Sequence, residues 1–180
     1  GSNALAARRD DDVIWVLNPD TYPSPRCAVE LLSALSDDGV GAVDGRQMPI
    51  EHPKAHDPRT GDTSWASGSC LMLRRSAFDE VAGFDAHFFP MYCDDVDLSW
   101  RLRLAGWNVR HAPLAAVFHD KRITIDAGVE VSEFEITSGT LARLWLTRRW
   151  GRPDLEAETL TWIDAAGTAA HRTAAAEFRR

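Results

Sequence analysis

A run of five consecutive apolar residues, 13–17, constrains the fold most strongly, because it is short, lacks polar alternation and ends at an Asn-Pro-Asp turn signal. Such a run is typical of a strand buried on both faces, as in a parallel sheet. Helical spacing over residues 28–35 and a second apolar run over 40–43 follow it. The order strand, helix, strand predicts an α/β domain whose helices pack on a mixed, mostly parallel sheet.

The remainder of the chain predicts further elements around one main core, since 180 residues leave no room for several large domains. Prolines, glycines and charges over residues 45–64 predict a long loop used for binding. A helix that begins at Asp94 is predicted to bury one apolar face, which carries Val96, Trp100 and Leu104. The other predicted elements are strands at 70–73, 107–111 and 114–119, the last two split by Pro113, and helices at 76–83, 141–148 and 155–165.

Composition excludes several classes of protein. Twenty Lys and Arg against 27 Asp and Glu give a net charge of −7, which argues against a nucleic-acid-binding surface. Three cysteines without a CxxC pair predict neither a zinc knuckle nor a disulfide scaffold. His52 and His56 have zinc-pair spacing, but Pro53 between them disfavours the helix that such a pair needs. No apolar run approaches the roughly 20 residues that span a bilayer, so a cytoplasmic protein is expected.

Two residues at predicted strand ends are candidate cation ligands. Asp20 follows the first strand, where open α/β sheets place ligand-contacting groups, and its carboxylate can bind Mg²⁺ or Mn²⁺. The alternative is a plain turn, because Asn, Pro and Asp are common turn residues. His119 ends the last predicted strand, and its imidazole is a candidate ligand for a borderline cation. The alternative there is a hydrogen-bonded or surface histidine.

Three carboxylates, Asp94, Asp95 and Asp97, crowd the start of one predicted helix and follow an aromatic stretch. Carboxylates that crowd one another in an apolar setting hold a proton more tightly, which suits a general base. Helix capping is the alternative, because the helix dipole also favours acids in the first turn. Spacing alone leaves both interpretations open.

Four blocks of residues follow one another along the chain. They are residues 15–21 (WVLNPDT), 65–70 (WASGSC), 83–89 (GFDAHFF) and 92–103 (YCDDVDLSWRLR), and residues 113–119 come after them. In this order the blocks resemble the family 2 glycosyltransferases, in particular the bacterial rhamnosyltransferase-like group, and the resemblance covers about residues 12–120.

The resemblance implies the carboxyl-terminal portion of a GT-A (nucleotide-diphospho-sugar transferase) fold with additional C-terminal helices. It implies metal-assisted transfer of a sugar, with inversion, from a nucleotide-diphosphate donor to an acceptor hydroxyl. Asp95 matches the family's catalytic base, Asp94 stands where the family often has Glu, and Asp20 with His119 would hold the Mn²⁺ or Mg²⁺ cofactor. The implied donor and acceptor contacts are Asn18, Asp20, Trp65, Gly68, Ser69, Asp97 and Arg101.

The partners implied by the resemblance are a nucleotide sugar and a saccharide or lipid-linked acceptor in cell-envelope polysaccharide or glycolipid synthesis. Nucleic acid is not expected, and a site at the inner face of the membrane is left open. The alternatives are a non-catalytic binding or assembly module that needs a partner chain, and a structural metal site at Asp20 and His119.

Only 17 residues precede the Asn-Pro-Asp block, 13 of them after residues 1–4, whereas family members begin with a nucleotide-binding βαβ half. We therefore expect weak binding of nucleotide sugars by this chain alone, and a homo-oligomer that covers an exposed sheet edge. Residues 1–4 resemble the remnant of a removed expression tag. Residues 5–125 are the predicted transferase portion, and 126–180 the predicted helical extension.

Overall fold

A computed structural model describes residues 2–8, 11–122 and 130–180 of the chain. Contacts divide it into two units, which we call the sheet unit (Gly1–Asp85 and Asp95–Ile123) and the helical unit (Ala86–Asp94 and Thr124–Arg180). Residues 86–94 group with the C-terminal helices in this division.

The sheet unit contains five strands and, in its described part, four helices. In chain order these are α1 (Ser2–Ala6), β1 (Val13–Leu17), β2 (Thr21–Pro23), α2 (Cys27–Leu35), β3 (Val40–Met48), β4 (Cys70–Arg74), α3 (Arg75–Glu80), α4 (Asp94–Leu104, whose first residue groups with the helical unit) and β5 (Asn108–His119).

The strands form one sheet in the order β1-β4-β3-β5-β2. Only β3 and β5 pair in parallel among the described strands, and the other three pairs are antiparallel. The mixed α/β fold is confirmed, but the expectation of a mostly parallel sheet is not met. A continuous apolar run indicates burial and carries no information about strand direction. β1 is in fact an edge strand, on which Trp15 and Leu17 are 37% and 38% exposed.

Side chains alternate between the two faces of the sheet along each strand. Helices cover both faces, so each face contributes to a core of its own. On β4, Leu71 and Leu73 join a core with residues of α3 and α4, including Phe78 and Leu102. The opposite face carries Cys70 and Met72 into a second core, whose helical members are Cys27, Leu31 and Leu35 of α2.

β5 carries a bulge over residues 113–115, where its register with β3 shifts. One bulged strand therefore replaces the two strands that were predicted on either side of Pro113. A proline is tolerated there because a bulged residue is left out of the hydrogen-bonded ladder. Gly45 of β3 lies opposite the bulge, and a Cβ at this position would lie 2.5 Å from the carbonyl oxygen of Ala115.

The buried face of α4 differs from the predicted one. Leu98 and Leu102 are the apolar residues in the core, whereas Leu104 is 78% exposed. Asp97 and Ser99 are buried beside Leu98 and have hydrogen-bond partners. Because satisfied polar groups can share a buried face, the spacing of apolar residues alone identified the wrong side of this helix.

The helical unit contains α5 (Glu133–Arg149), α6 (Pro153–Ala166) and α7 (Ala169–Phe178). A capping box between Ser132 and Glu135 starts α5. The three helices share a core of Leu144, Ile163, Ala175 and Phe178, so the predicted C-terminal appendage is docked and helical. No described helix combines the length and apolar character required to cross a bilayer.

We predict that Gly45→Ala lowers the free energy of unfolding by about 1–3 kcal/mol, because the added methyl group meets backbone that cannot move aside freely. Gly39→Ala is the matched control, since its Cβ would meet ordinary contacts of 3.5 Å to Asp37 Oδ1 and 3.6 Å to Asn108 Nδ2. Urea-unfolding curves of the two variants measure the difference. Equal midpoints would contradict the close approach of β5 to Gly45.

Candidate functional site

The Asn-Pro-Asp block after β1 folds as a turn. The backbone N–H of Thr21 donates to the carbonyl oxygen of Asn18 at 3.1 Å, and the Thr21 hydroxyl donates to the same oxygen at 2.7 Å. The Asn18 N–H donates to the carbonyl oxygen of Ser69 at 3.1 Å. The turn interpretation is therefore confirmed, and the turn is also what positions Asp20.

Asp20 and His119 face each other at adjacent strand ends. The pairing of β2 with β5 sets Thr21 opposite His119, and His119 Nε2 lies 3.4 Å from Asp20 Oδ2. His119 is buried, with 8% of its surface exposed, while the Asp20 side chain is 48% exposed. His119 Nδ1 lies 2.7 Å from Gln47 Oε1, so the Nδ1–H donates to the amide and Nε2 retains its lone pair.

Burial lowers the pKa of His119 below its ordinary value of 6.5, and the negative charge of Asp20 opposes this shift only in part. The imidazole is therefore neutral at neutral pH, which is the form that binds a metal ion. Two electron-rich atoms, Nε2 of His119 and Oδ2 of Asp20, then face one another, and this arrangement fits a cation between them. Gln47 supplies the outer hydrogen bond that orients a ligating histidine.

The described residues contain no group of three or more His, Cys, Asp or Glu side chains arranged to hold a metal ion. Asp20 and His119 could therefore provide two ligands, with the others coming from water or from a bound substrate. Such partial coordination is typical of Mg²⁺ sites that share the cation with substrate phosphates.

The segment from Trp65 to Ser69, which we call the 65–69 segment, connects the predicted site residues. Its Ser67 hydroxyl accepts a hydrogen bond from Gln47 Nε2 at 3.0 Å, and its Ser69 carbonyl accepts from Asn18. The Gly68 N–H donates to Asp95 Oδ2 at 2.8 Å. The segment therefore contacts the candidate base directly, and it reaches His119 through Gln47.

Asp95 is held in the first turn of α4. Besides the bond from Gly68, its Oδ1 accepts the N–H of Val96 at 2.8 Å, and its carbonyl oxygen accepts the Ser99 hydroxyl at 2.7 Å. Ser99 Oγ in turn accepts the N–H of Ala66 at 3.0 Å. A Cβ on Gly68 would lie 3.4 Å from Asp95 Cβ, so a small residue is favoured beside this carboxylate.

The two residues that precede α4 have strained backbones. Tyr92 and Cys93 have φ angles of 63° and 58°, in the left-handed region that non-glycine residues rarely adopt. Strain of this kind costs about 1–3 kcal/mol per residue and is concentrated at functional sites.

Asp97 and Arg101 were predicted to contact donor or acceptor, and this assignment stays a prediction. In the structure their side chains form an ion pair. Asp97 is fully buried and accepts from Arg101 Nε at 2.8 Å. Arg101 Nη1 donates to the carbonyl oxygen of Val81 at 2.6 Å, at the end of α3. This ion pair fastens α4 to the end of α3.

A buried charged cluster that the sequence interpretation missed lies beside the 65–69 segment. Asp44 is 1% exposed and accepts from the Ser67 N–H at 2.7 Å. It forms an ion pair with the buried Lys54, and its Oδ1 lies 2.9 Å from His111 Nδ1. Several partners are needed here, because an unpaired buried carboxylate would destabilise the fold.

The same cluster positions Trp65 and borders a cavity of about 200 Å³. Lys54 Nζ lies 5.1 Å from the centroid of the half-buried Trp65 ring, a cation–π contact. Asp44 directly follows the predicted strand 40–43, and Gln47 lies near the carboxyl end of β3, so the strand-end rule that identified Asp20 could also have found them. Lys54 and His111 carry no comparable signal in the sequence.

Comparison with known proteins identifies the family of the chain. Residues 55–150, more than half of the chain, match the model for glycosyl transferase family group 2. The chain is 51% identical over 114 residues to N-acetylglucosaminyl-diphospho-decaprenol L-rhamnosyltransferase of Mycobacterium tuberculosis, an alignment that covers 59% of this chain and 36% of that protein. It is 31% identical over 140 residues to the rhamnosyltransferase WbbL of Escherichia coli, covering 61% and 53%. The chain thus spans between a third and just over half of the length of these two relatives.

Solved structures show a similar fold. The mannosyltransferase PcManGT of Pyrobaculum calidifontis, solved in complex with GDP-Man and Mn²⁺, aligns with a TM-score of 0.61 at 16% identity, covering 97% of this chain and 51% of that one. GalNAc-T7, solved with UDP, GalNAc and Mn²⁺, aligns with a TM-score of 0.56 at 12% identity, covering 77% and 32%. The GT-A fold is therefore confirmed, and the chain belongs to glycosyl transferase family group 2.

Proposed function

We propose that the protein transfers a sugar, with inversion, from a nucleotide-diphosphate donor to an acceptor hydroxyl in the synthesis of a cell-envelope polysaccharide. The two relatives are named as rhamnosyltransferases, which makes rhamnose the first donor sugar to test and a lipid-linked saccharide the first acceptor. The observation that carries the proposal is the link that the 65–69 segment makes between Asp95 and the Asp20–His119 pair.

In this proposal Asp95 is the general base. Each carboxylate oxygen has two lone pairs, so Oδ2 can accept the Gly68 N–H and still accept a proton from the acceptor hydroxyl. The deprotonated oxygen attacks the anomeric carbon as the bond to the diphosphate breaks, and the bonding electron pair leaves with the diphosphate. A single displacement of this kind inverts the anomeric centre.

Asp20 and His119 would hold a divalent cation, Mn²⁺ or Mg²⁺, in the complex with donor. When bound, the cation supplies positive charge next to the departing diphosphate. His119 contributes a neutral nitrogen whose direction is fixed by Gln47, and Asp20 contributes the negative charge that attracts the ion. Trp65, Gly68, Ser69 and Asn18 are the remaining residues that we assign to substrate contact.

The non-catalytic alternative is not favoured, because the matched relatives are named as transferases. Homo-oligomer formation, peripheral membrane association and a cytoplasmic location stay predictions from the sequence. The function of Asp94 also stays a prediction, as the residue next to the proposed base at the start of α4.

Asp95→Asn should reduce kcat by about 10²–10⁴-fold, because an amide cannot take the acceptor proton, while KM for the donor changes little. Transfer of labelled rhamnose in the complete gene product measures both constants. Asp79→Asn, at an exposed position of α3, is the matched control and should retain activity. Full turnover by a folded Asp95→Asn protein would remove the assignment of the base.

Asp20→Asn should weaken Mn²⁺ binding by at least about tenfold in the presence of a nucleoside diphosphate, because a neutral amide replaces a charged ligand. Electron paramagnetic resonance of free and bound Mn²⁺ gives the affinity without any turnover. Asp38→Asn removes a fully exposed carboxylate and serves as the control. If both variants bind Mn²⁺ as tightly as the unchanged protein, the cation is held elsewhere.

The same Mn²⁺ titration should depend on pH through His119. Its folded pKa lies below 6.5, so the neutral ligand form persists at pH 6.5, and binding is lost only as the pH falls through the lower folded value. In His119→Gln the histidine-dependent part of this pH profile should disappear. A midpoint above 6.5 would show that burial does not govern the protonation of His119.

A further inference from the structure

A cavity in the helical unit is used by none of the chemistry described above. Its volume is about 380 Å³, within the range of small-molecule sites, and residues of α5, α6 and α7 line it. The lining residues are Thr140, Arg143, Glu158, Thr159, Trp162 and His171.

An exposed aromatic ring forms one wall of this cavity. Trp162 is 50% exposed, and its ring contacts His171 edge to face, with centroids 4.9 Å apart and planes at 82°. His171 is fixed in turn, because its Nδ1 accepts the N–H of Thr168 at 3.1 Å in the capping box that begins α7. The indole is thus held in one orientation by a neighbour that is itself anchored, although half of it remains open to solvent.

The charged residues of the cavity are available to a ligand. Within residues 2–8, 11–122 and 130–180, neither the Arg143 nor the Glu158 side chain forms a hydrogen bond or an ion pair, either with the other or with any further residue. Arg143 offers N–H donors and Glu158 offers acceptors. The Nδ1 of His171 is an acceptor for Thr168, so its Nε2 carries the proton and adds a donor.

We propose that this cavity binds a neutral saccharide residue. A pyranose presents a face of C–H groups, which suits the electron-rich face of Trp162, and a rim of hydroxyls that both donate and accept hydrogen bonds. The side chains of Arg143 and Glu158 match such a rim, because one hydroxyl can accept a hydrogen bond from Arg143 and another can donate one to Glu158. An anionic ligand would meet repulsion from Glu158, and a purely apolar ligand would leave both charges desolvated without partners.

The probe sugars, L-rhamnose and N-acetylglucosamine, are chosen because they fit the proposed function, and the inference rests on that function in this respect alone. A site of this size that holds one sugar ring is expected to bind with a Kd on the order of 1 mM. Binding at this cavity therefore needs a method suited to weak ligands, and its outcome is separate from that of a transfer assay.

Nuclear magnetic resonance titration of the ¹⁵N-labelled chain provides the test. Saturable shifts of the Trp162 indole N–H and of the Thr140 amide are expected on addition of at least one of the two sugars. Trp162→Ala assigns the indole signal by its loss and should abolish the Thr140 shift. Arg143→Met should weaken binding at least about tenfold, comparable to the loss of one charge-assisted hydrogen bond. Thr161→Ala, next to Trp162 on α6 but outside the lining, is the matched control and should bind as the unchanged chain does.

Three outcomes would overturn the proposal. The first is the absence of saturable shifts of the Trp162 and Thr140 signals with either sugar up to about 50 mM. The second is a Thr140 shift that persists in Trp162→Ala. The third is an equal or larger shift of these signals with inorganic phosphate, which would identify an anion site. None of these outcomes affects the assignment of Asp95, which is measured by transfer, so the two proposals fail separately.

Discussion

Two consecutive backbone amides hold the carboxylates around which the candidate site is built. The N–H of Ser67 donates to Asp44 and the N–H of Gly68 donates to Asp95, at 2.7 Å and 2.8 Å. Hydrogen bonds to charged groups contribute about 1.5–3 kcal/mol each, roughly twice the value of neutral ones. Because the donors are neighbours in one short segment, a shift of that segment would disturb the core of the sheet and the start of α4 together.

The surroundings of the carboxylates separate their roles. Asp44 is buried and paired with Lys54 and His111. Its carboxylate also accepts the Ser67 N–H, and this bond holds the 65–69 segment against β3. Asp95 receives backbone amide bonds in a half-buried position, and Asp20 is half exposed opposite a neutral histidine. A base and a cation ligand need this combination of fixed direction and remaining access, and a buried ion pair does not provide it.

Sequence reasoning named the candidate site residues that follow a strand end or match a family block, and their roles stay predictions. In the structure, hydrogen bonds of the 65–69 segment and of Gln47 link Gly68 to Asp95 and Ser67 to His119, which lies beside Asp20. The sequence did not reveal strand direction, because an apolar run such as that of β1 is compatible with parallel and antiparallel pairing. The mixed α/β fold and the helical C-terminal unit were nevertheless predicted.

Other features depended on three-dimensional partners that no local pattern encodes. The acidic block does not reveal that Asp97 is buried and paired with Arg101, which lies one turn along α4. Lys54 is inside a loop rich in proline and glycine, and only the fold brings it to Asp44. The bulge in β5 depends on the missing Cβ of Gly45, a residue that precedes the bulge by almost 70 positions.

The most direct test of the central claim is paramagnetic broadening by Mn²⁺ in the ¹⁵N-labelled chain with a nucleoside diphosphate present. If the 65–69 segment joins the cation pair to the base, the Gly68 and Val96 amide signals broaden together with that of His119. The amide of Gly39, which directly precedes the opposite end of β3 and lies about 30 Å from Met48 along the strand, should remain sharp. Broadening of His119 with unchanged signals from Gly68 and Val96 would contradict a shared site.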